Sequence, residues 1–243
     1  MRVRISLYPE VPQEKILIPM DFRRHFISLL KMLLNGSPFN ERFEESKPGY
    51  SPYVFGIQFG KIHAIDSRKE VIIVQPPVLM TFSTGLYDLM TDVCNMAIAM
   101  KGTNTVLGLI LGEIQLMPNT NIRSDEVEFE LIGHATLRGR DEYVNNANPA
   151  ELEEAINKHL QTKLGFLNQY QTQSANTIYT PIRLTEHRYL TKGVCRHYNG
   201  LITSIKGRLT LSGYPSSLQF LYDYGLGVRT GQGFGLLEVV NQL

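Results

Sequence analysis

The sequence has no tryptophan and only two cysteines, Cys94 and Cys195, among 243 residues. Two thiols cannot build a zinc finger or the disulfide framework of a small secreted domain. They read as two small buried hydrophobes. No apolar run reaches the ~18 residues that a membrane span needs, so no membrane partner is expected. The N-terminus, MRVRISLYPE, alternates charge with apolar residues and is no signal peptide. The expectation is a soluble, cytoplasmic protein. No cluster of His, Asp, Glu or Cys has ligand spacing, so neither metal nor cofactor is expected. Charged residues make up only 19% of the chain, too few for a disordered acidic or basic protein.

What is present is enough for a core: 43% of the residues are hydrophobic. The length fits one large domain or two of roughly 100–120 residues each. The net charge of +1 conceals a segregation. From Asp125 to Glu154 nine acids face only Arg138 and Arg140. From Arg183 to Arg208 the bases Arg183, Arg188, Lys192, Arg196, Lys206 and Arg208 face Glu186 alone. A local basic stretch matters to a polyanion more than the total does.

The order of elements suggests a repeat. Val3, Ile5 and Leu7 alternate with polar residues, the period of a half-buried strand. A helix is predicted over 21–35, with Phe22, Phe26, Leu29, Leu30 and Leu33 on its core face, Asp21 placed to cap its start and Gly36 to end it. After a polar, proline-bearing loop over 36–52, strands are expected at 53–59, 61–74 and 78–82. A second helix is expected at 86–100 and a strand at 105–115. Residues 117–124 have the composition of a linker. Beyond it come a strand (126–137), a helix opened by Pro149, two long strands (178–189 and 194–211) whose residues could form a projecting hairpin, a short helix from Pro215 and a final strand (236–240). The economical reading is α+β: two tandem ferredoxin-like (βαββαβ, RRM-like) domains, 1–118 and 119–243, with a C-terminal Gly-rich loop.

That loop, within GLGVRTGQGFGLLEVV (225–240), holds Gly225, Gly227, Gly231, Gly233 and Gly235 between a helix end and a terminal strand. Dinucleotide and nucleotide-hydrolase loops have the reverse order, following a strand and opening a helix. Glycines let another chain approach closely, their N–H groups can face phosphate oxygens, and Arg229 supplies a fork of donors in the middle.

A glycine-rich loop ending in GFG before a hydrophobic strand, on a doubled βαββαβ chain, resembles the CRISPR-associated RNA-binding superfamily. The run LYPE (7–10) followed by IPMDFRRHFISLLKMLL (18–34) is similar to the first strand and helix of its CRISPR RNA-processing endoribonucleases. The resemblance covers most of the chain. It implies metal-independent cleavage of precursor transcripts within repeats. The ribose 2′-OH attacks the adjacent phosphate, leaving 2′,3′-cyclic phosphate and 5′-OH ends. DNA, which lacks that hydroxyl, is then no substrate. CRISPR repeat RNA is the implied partner, with a homodimer or a CRISPR effector complex as further associations.

The family commonly places a histidine in the loop after the first helix, and this chain has none there. Three explanations compete. A lysine-based site replaces the histidine, with Lys31, on the helix at a position where some members carry a catalytic tyrosine, as the first candidate and Lys47 in the loop as the second. Or His25 serves instead. Or the chain binds repeat RNA without cutting it, as a non-catalytic subunit of the same superfamily. RNA contact is expected from the glycine loop with Arg229, from the basic stretch with Tyr189 and Tyr198 to stack on bases, and from Lys31. A ferredoxin-like ligand or assembly domain without nucleic acid is disfavoured by the basic stretch and the loop's position.

Overall fold

The computed structural model describes residues 1–40, 50–140, 142–168, 178–198 and 200–243. In chain order the elements are β1 (Arg2–Pro9), β2 (Ile16–Pro19), α1 (Arg23–Leu33), β3 (Val54–Phe59), β4 (Ile62–Asp66), β5 (Val71–Val74), β6 (Val78–Ser83), α2 (Tyr87–Ala99) and β7 (Leu109–Leu116). Then follow β8 (Glu126–Leu131), β9 (Leu137–Arg138), β10 (Tyr143–Val144), α3 (Pro149–Asn168), β11 (Arg183–Glu186), β12 (Leu190–His197), β13 (Gly200–Ser212), α4 (Pro215–Tyr224) and β14 (Leu237–Gln242).

The repeat is visible in the topology. One antiparallel sheet has the order β3-β6-β1-β7 and the other β11-β13-β8-β14. Counted within each half, both orders are second, third, first, fourth strand, the ferredoxin-like arrangement. Helices α1 and α2 lay Phe26, Leu29, Leu30, Leu33, Leu89 and Val93 on the first sheet, where Val3, Ile5, Leu7, Met80 and Phe82 are fully buried. In the second half Leu152, Ile156, Leu160, Leu218 and Leu221 cover Val127, Phe129, Leu209 and Leu211. Each fully buried Leu, Ile or Phe contributes about 1.5–3 kcal/mol. No helix of the described residues is long and apolar enough to cross a membrane.

The strand expected over 61–74 is two strands, β4 and β5, turned back at 67–70, where Asp66 Oδ1 accepts the Arg68 and Lys69 amides. They join β2, which the alternation did not reveal, in a separate three-stranded sheet. The long strand expected over 194–211 is divided between the paired strands of the hairpin β12–β13. Among the described residues its first strand, β12, pairs with β13 alone, off the path of the second sheet. Of the strand expected at 178–189, only Arg183–Glu186 pairs.

The halves are joined by their first and last residues. Arg2 is buried, with Nη1 donating to Glu238 (2.6 Å), Nη2 to the Tyr222 carbonyl (2.7 Å), and its guanidinium 3.4 Å from the Tyr222 ring centre. The N-terminal ammonium lies 3.1 Å from Asp223.

Candidate nucleic-acid interface

The glycine loop lies in the seam between the two sheets. Helix α4 ends at Gly225 (φ +84°), whose amide still bonds the Leu221 carbonyl. A Cβ there would stand 2.7 Å from Val54 of β3. A Cβ at Gly231 would strike Ser51 Oγ, and one at Gly233 would come within 3.1 Å of Phe55. From the other side, a Cβ at Gly56 would meet Leu236 at 2.8 Å. Glycine is needed here because side chains of β3 and of the segment before it pack directly on the loop backbone. Gly227 and Gly235 are crowded instead by backbone, the Thr136 and Leu226 carbonyls.

The loop is pinned from below by Lys163 of α3. This lysine is fully buried, and its Nζ donates to the Tyr224 carbonyl (2.7 Å), the Gly225 carbonyl (3.3 Å) and Thr230 Oγ1 (3.2 Å). Three acceptors use all three N–H bonds of an ammonium. Burial pulls the Lys163 pKa down to about 7.

Above this anchor Arg229 is exposed and left-handed (φ +59°). Its Nε donates to Tyr143 Oη and its Nη1 to Gln232 Oε1, both at 2.8 Å. Gln232 Oε1 also lies 2.9 Å from His197 Nε2. An amide oxygen only accepts, so the proton sits on Nε2 and the buried Nδ1 keeps a lone pair. That Nδ1 has no hydrogen-bond partner among the described residues and is 4.0 Å from Asp21 Oδ1. Burial lowers the His197 pKa, so the ring is neutral and no ion pair forms at neutral pH.

The α1 side of the seam is equally occupied. Phe22, not Asp21, is the N-cap residue of α1, and no side chain caps the helix. Asp21 instead accepts the Tyr198 amide (3.1 Å) and pairs with Arg24 (3.6 Å). A tertiary partner outcompetes the local cap. Arg23 is buried between Phe22 and Phe234, with Nε donating to the Gly233 carbonyl at 3.1 Å. Its Nη2 lies 3.4 Å from His134 Nδ1. Burial, then Arg23 and Lys206, hold the His134 pKa down at about 4.

The expected catalytic residues fall on or after α1. Lys31 is exposed in the last turn of α1, on the stripe of Arg24 and Ser28. His25 sits in the first turn, and its Nε2 is buried without a hydrogen-bond partner among the described residues. Burial and then the Arg24 charge lower its pKa. Lys47 lies outside the described residues.

The basic stretch does not form one cationic face. Lys192 and Arg196 share the outer face of the hairpin with Val194 and Tyr198, while Lys206 lies on the His134 side. Arg188 pairs with Glu186 (2.9 Å), Arg196 with Glu70 (2.6 Å), and Arg208 with Glu128 (3.9 Å) and Glu130 (3.6 Å). Arg183, Lys192 and Lys206 are exposed and have no ion pair among the described residues. Tyr189 and Tyr198 are both exposed. Sequence reasoning did not find Arg23, His134, Gln232 or Glu70, because each meets a partner more than 30 residues away. Among the described residues no three His, Cys, Asp or Glu side chains gather as metal ligands.

A doubled ferredoxin-like chain whose halves clasp a C-terminal glycine loop is the architecture of the CRISPR-associated RNA-binding proteins. The family description "CRISPR associated protein Cas6, C-terminal" matches residues 114–239, half of the chain, and the chain belongs to that family. Members of the family are CRISPR endoribonucleases. A solved Cas6-related protein from Pyrococcus furiosus is similar at 16% identity and a TM-score of 0.78, covering 100% of this chain and 99% of its own. A RAMP protein described as binding different RNA substrates is similar at 16% identity and a TM-score of 0.76, covering 99% and 100%. A Cas6 product complex gives 15% identity and a TM-score of 0.68, covering 98% and 99%. At these identities the likeness is one of fold. No curated protein matches the chain in sequence.

Proposed function

We propose that this chain binds CRISPR repeat RNA across the seam and cleaves precursor transcripts within the repeats without a metal ion. The observation that carries the reading is the family match over 114–239, a span that includes both the hairpin and the glycine loop. In this reading residues 1–118 and 119–243 are the two domains.

The chemistry needs three things: a base for the 2′-OH, a proton for the leaving 5′-oxygen and positive charge beside the phosphorane. Lys31 is an exposed ammonium that supplies charge and can protonate the 5′-oxygen; Lys47 is assigned the same kind of role. His25, kept neutral at pH 7 by its lowered pKa, is the candidate base through Nδ1, since its Nε2 is buried. Arg229 and the unpaired Lys192, Lys206 and Arg183 hold the RNA backbone, and Tyr189 and Tyr198 offer rings for bases.

Lys31→Ala should lower the single-turnover cleavage rate by about 10²-fold or more while leaving RNA affinity within a few-fold. His25→Ala should do the same if it is the base. A second reading, a non-catalytic repeat-RNA-binding subunit, is favoured by the burial of His25 Nε2. Unchanged rates in the Lys31, Lys47 and His25 variants would remove this catalytic assignment. Tight binding with no cleavage by the wild-type protein would establish the second reading.

A further inference from the structure

Glu70 occupies the turn between β4 and β5, in the first half of the chain, yet its carboxylate meets the hairpin of the second. Its Oε1 lies 2.6 Å from Arg196 Nη1. The backbone pays for this position: Glu70 has φ +56°, the left-handed region in which a residue with a Cβ is uncommon. Glycine would hold the same turn without that penalty. The turn is anchored as well, because the Met20 amide donates to the Glu70 carbonyl at 2.8 Å, one residue ahead of Asp21. A fixed backbone thus aims one carboxylate at one arginine, and that arginine stands on the outer hairpin face beside Lys192 and Tyr198.

The pair is open to solvent, with side chains 51% and 42% exposed, so it adds little to stability. What it does change is the availability of Arg196. A guanidinium fork accepts a carboxylate and a phosphate in the same geometry. We propose that Glu70 is an internal surrogate for an RNA phosphate, which covers Arg196 in the free protein and must be displaced when the RNA backbone reaches the hairpin. This rests on the reading of the hairpin as an RNA-binding surface. The consequence is selectivity. A polyanion that makes only the Arg196 contact gains almost nothing, because one anion replaces another. An RNA also held by Arg229 and the unpaired lysines can displace Glu70.

The test is the binding of repeat RNA to Glu70→Gln, Glu70→Gly, Arg196→Ala and the double variant Glu70→Gln/Arg196→Ala, over a range of salt. Removing the carboxylate should tighten binding about two- to fivefold, the scale of an exposed ion pair. It should also steepen the dependence of log K on log salt by less than the ~0.7–0.9 of a whole phosphate contact, because salt weakens the competing Glu70–Arg196 pair of the free wild-type protein. Glu70→Gly should bind like Glu70→Gln. In the Arg196→Ala background the substitution should have no effect. Unchanged or weaker binding by Glu70→Gln, or a gain that persists without Arg196, would overturn the inference and leave the RNA-binding reading intact. Absence of repeat-RNA binding by the wild-type protein would overturn both.

Discussion

Lys163 illustrates how a single residue couples stability to the geometry of the loop. Its pKa, about 7 when folded, is far below the ordinary 10.5 because of burial. Between these values the unfolded chain holds a proton that the folded chain does not. Stability therefore rises with pH across that window, and below pH 7 the buried charge carries its full penalty. Two pH units of such a window correspond to about 2–3 kcal/mol. Wild-type protein should accordingly gain more stability between pH 7 and 9 than Lys163→Met, which urea midpoints at the two pH values would show; equal gains would reject the assignment. Histidines act in the opposite region. His134 and His159, both held at about 4 mainly by burial, are neutral in the fold but charge when unfolded below about 6.5. Stability should fall as pH drops from 6.5 to 4, and a His159→Gln variant should lose part of that slope in thermal scans over the same range. None of this was legible in the sequence. Lys163 sits in a helix with ordinary amphipathic spacing, and only its three acceptors from the C-terminal loop show why it is buried.

At the scale of elements, the seam depends on close approach rather than on flexibility. Gly231→Ala should destabilise by about 1–3 kcal/mol, because its Cβ would strike Ser51 Oγ and stand near Tyr53. Gly165→Ala, in α3 with nothing within 4 Å of the added Cβ, should instead stabilise by about 0.5–1 kcal/mol. Thermal melts of the two variants should move in opposite directions. The elements built on strong local periodicity were readable in advance: β1 from its alternation, α1 and α2 from their apolar stripes. Those that depend on a turn or on a neighbour were not. The break at 67–70 is made by Asp66 bonding two amides, and the strand expected over 194–211 runs through an Asn-Gly pair (199–200), the sequence signal that separates β12 from β13. Asp21 was misread as a cap because Tyr198, which takes its carboxylate, lies 177 positions away.

Taken as a whole, the molecule is two ferredoxin-like units fastened at one end by Arg2 with Glu238 and Tyr222, and at the other by the glycine loop. Arg2→Ala would leave the buried Tyr222 carbonyl without its donor and the half-exposed Glu238 without its partner, and should cost about 1–3 kcal/mol, read as a fall in melting temperature. Arg229→Ala, in contrast, should leave melting unchanged within a degree or two, weaken repeat-RNA binding and flatten its salt slope; an unchanged slope would remove Arg229 from the phosphate contacts. The doubling and the loop's place were legible from element order and from the glycines. The distribution of cations was not, because acids from distant elements pair with Arg196 and Arg208 of the basic stretch. The most direct measurement is cleavage of a repeat RNA in EDTA, beside the same RNA with a single 2′-deoxy substitution before the scissile phosphate. The account predicts one cut with a 2′,3′-cyclic phosphate end and no cut in the deoxy substrate. Cleavage of the deoxy RNA, or a requirement for metal, would contradict it.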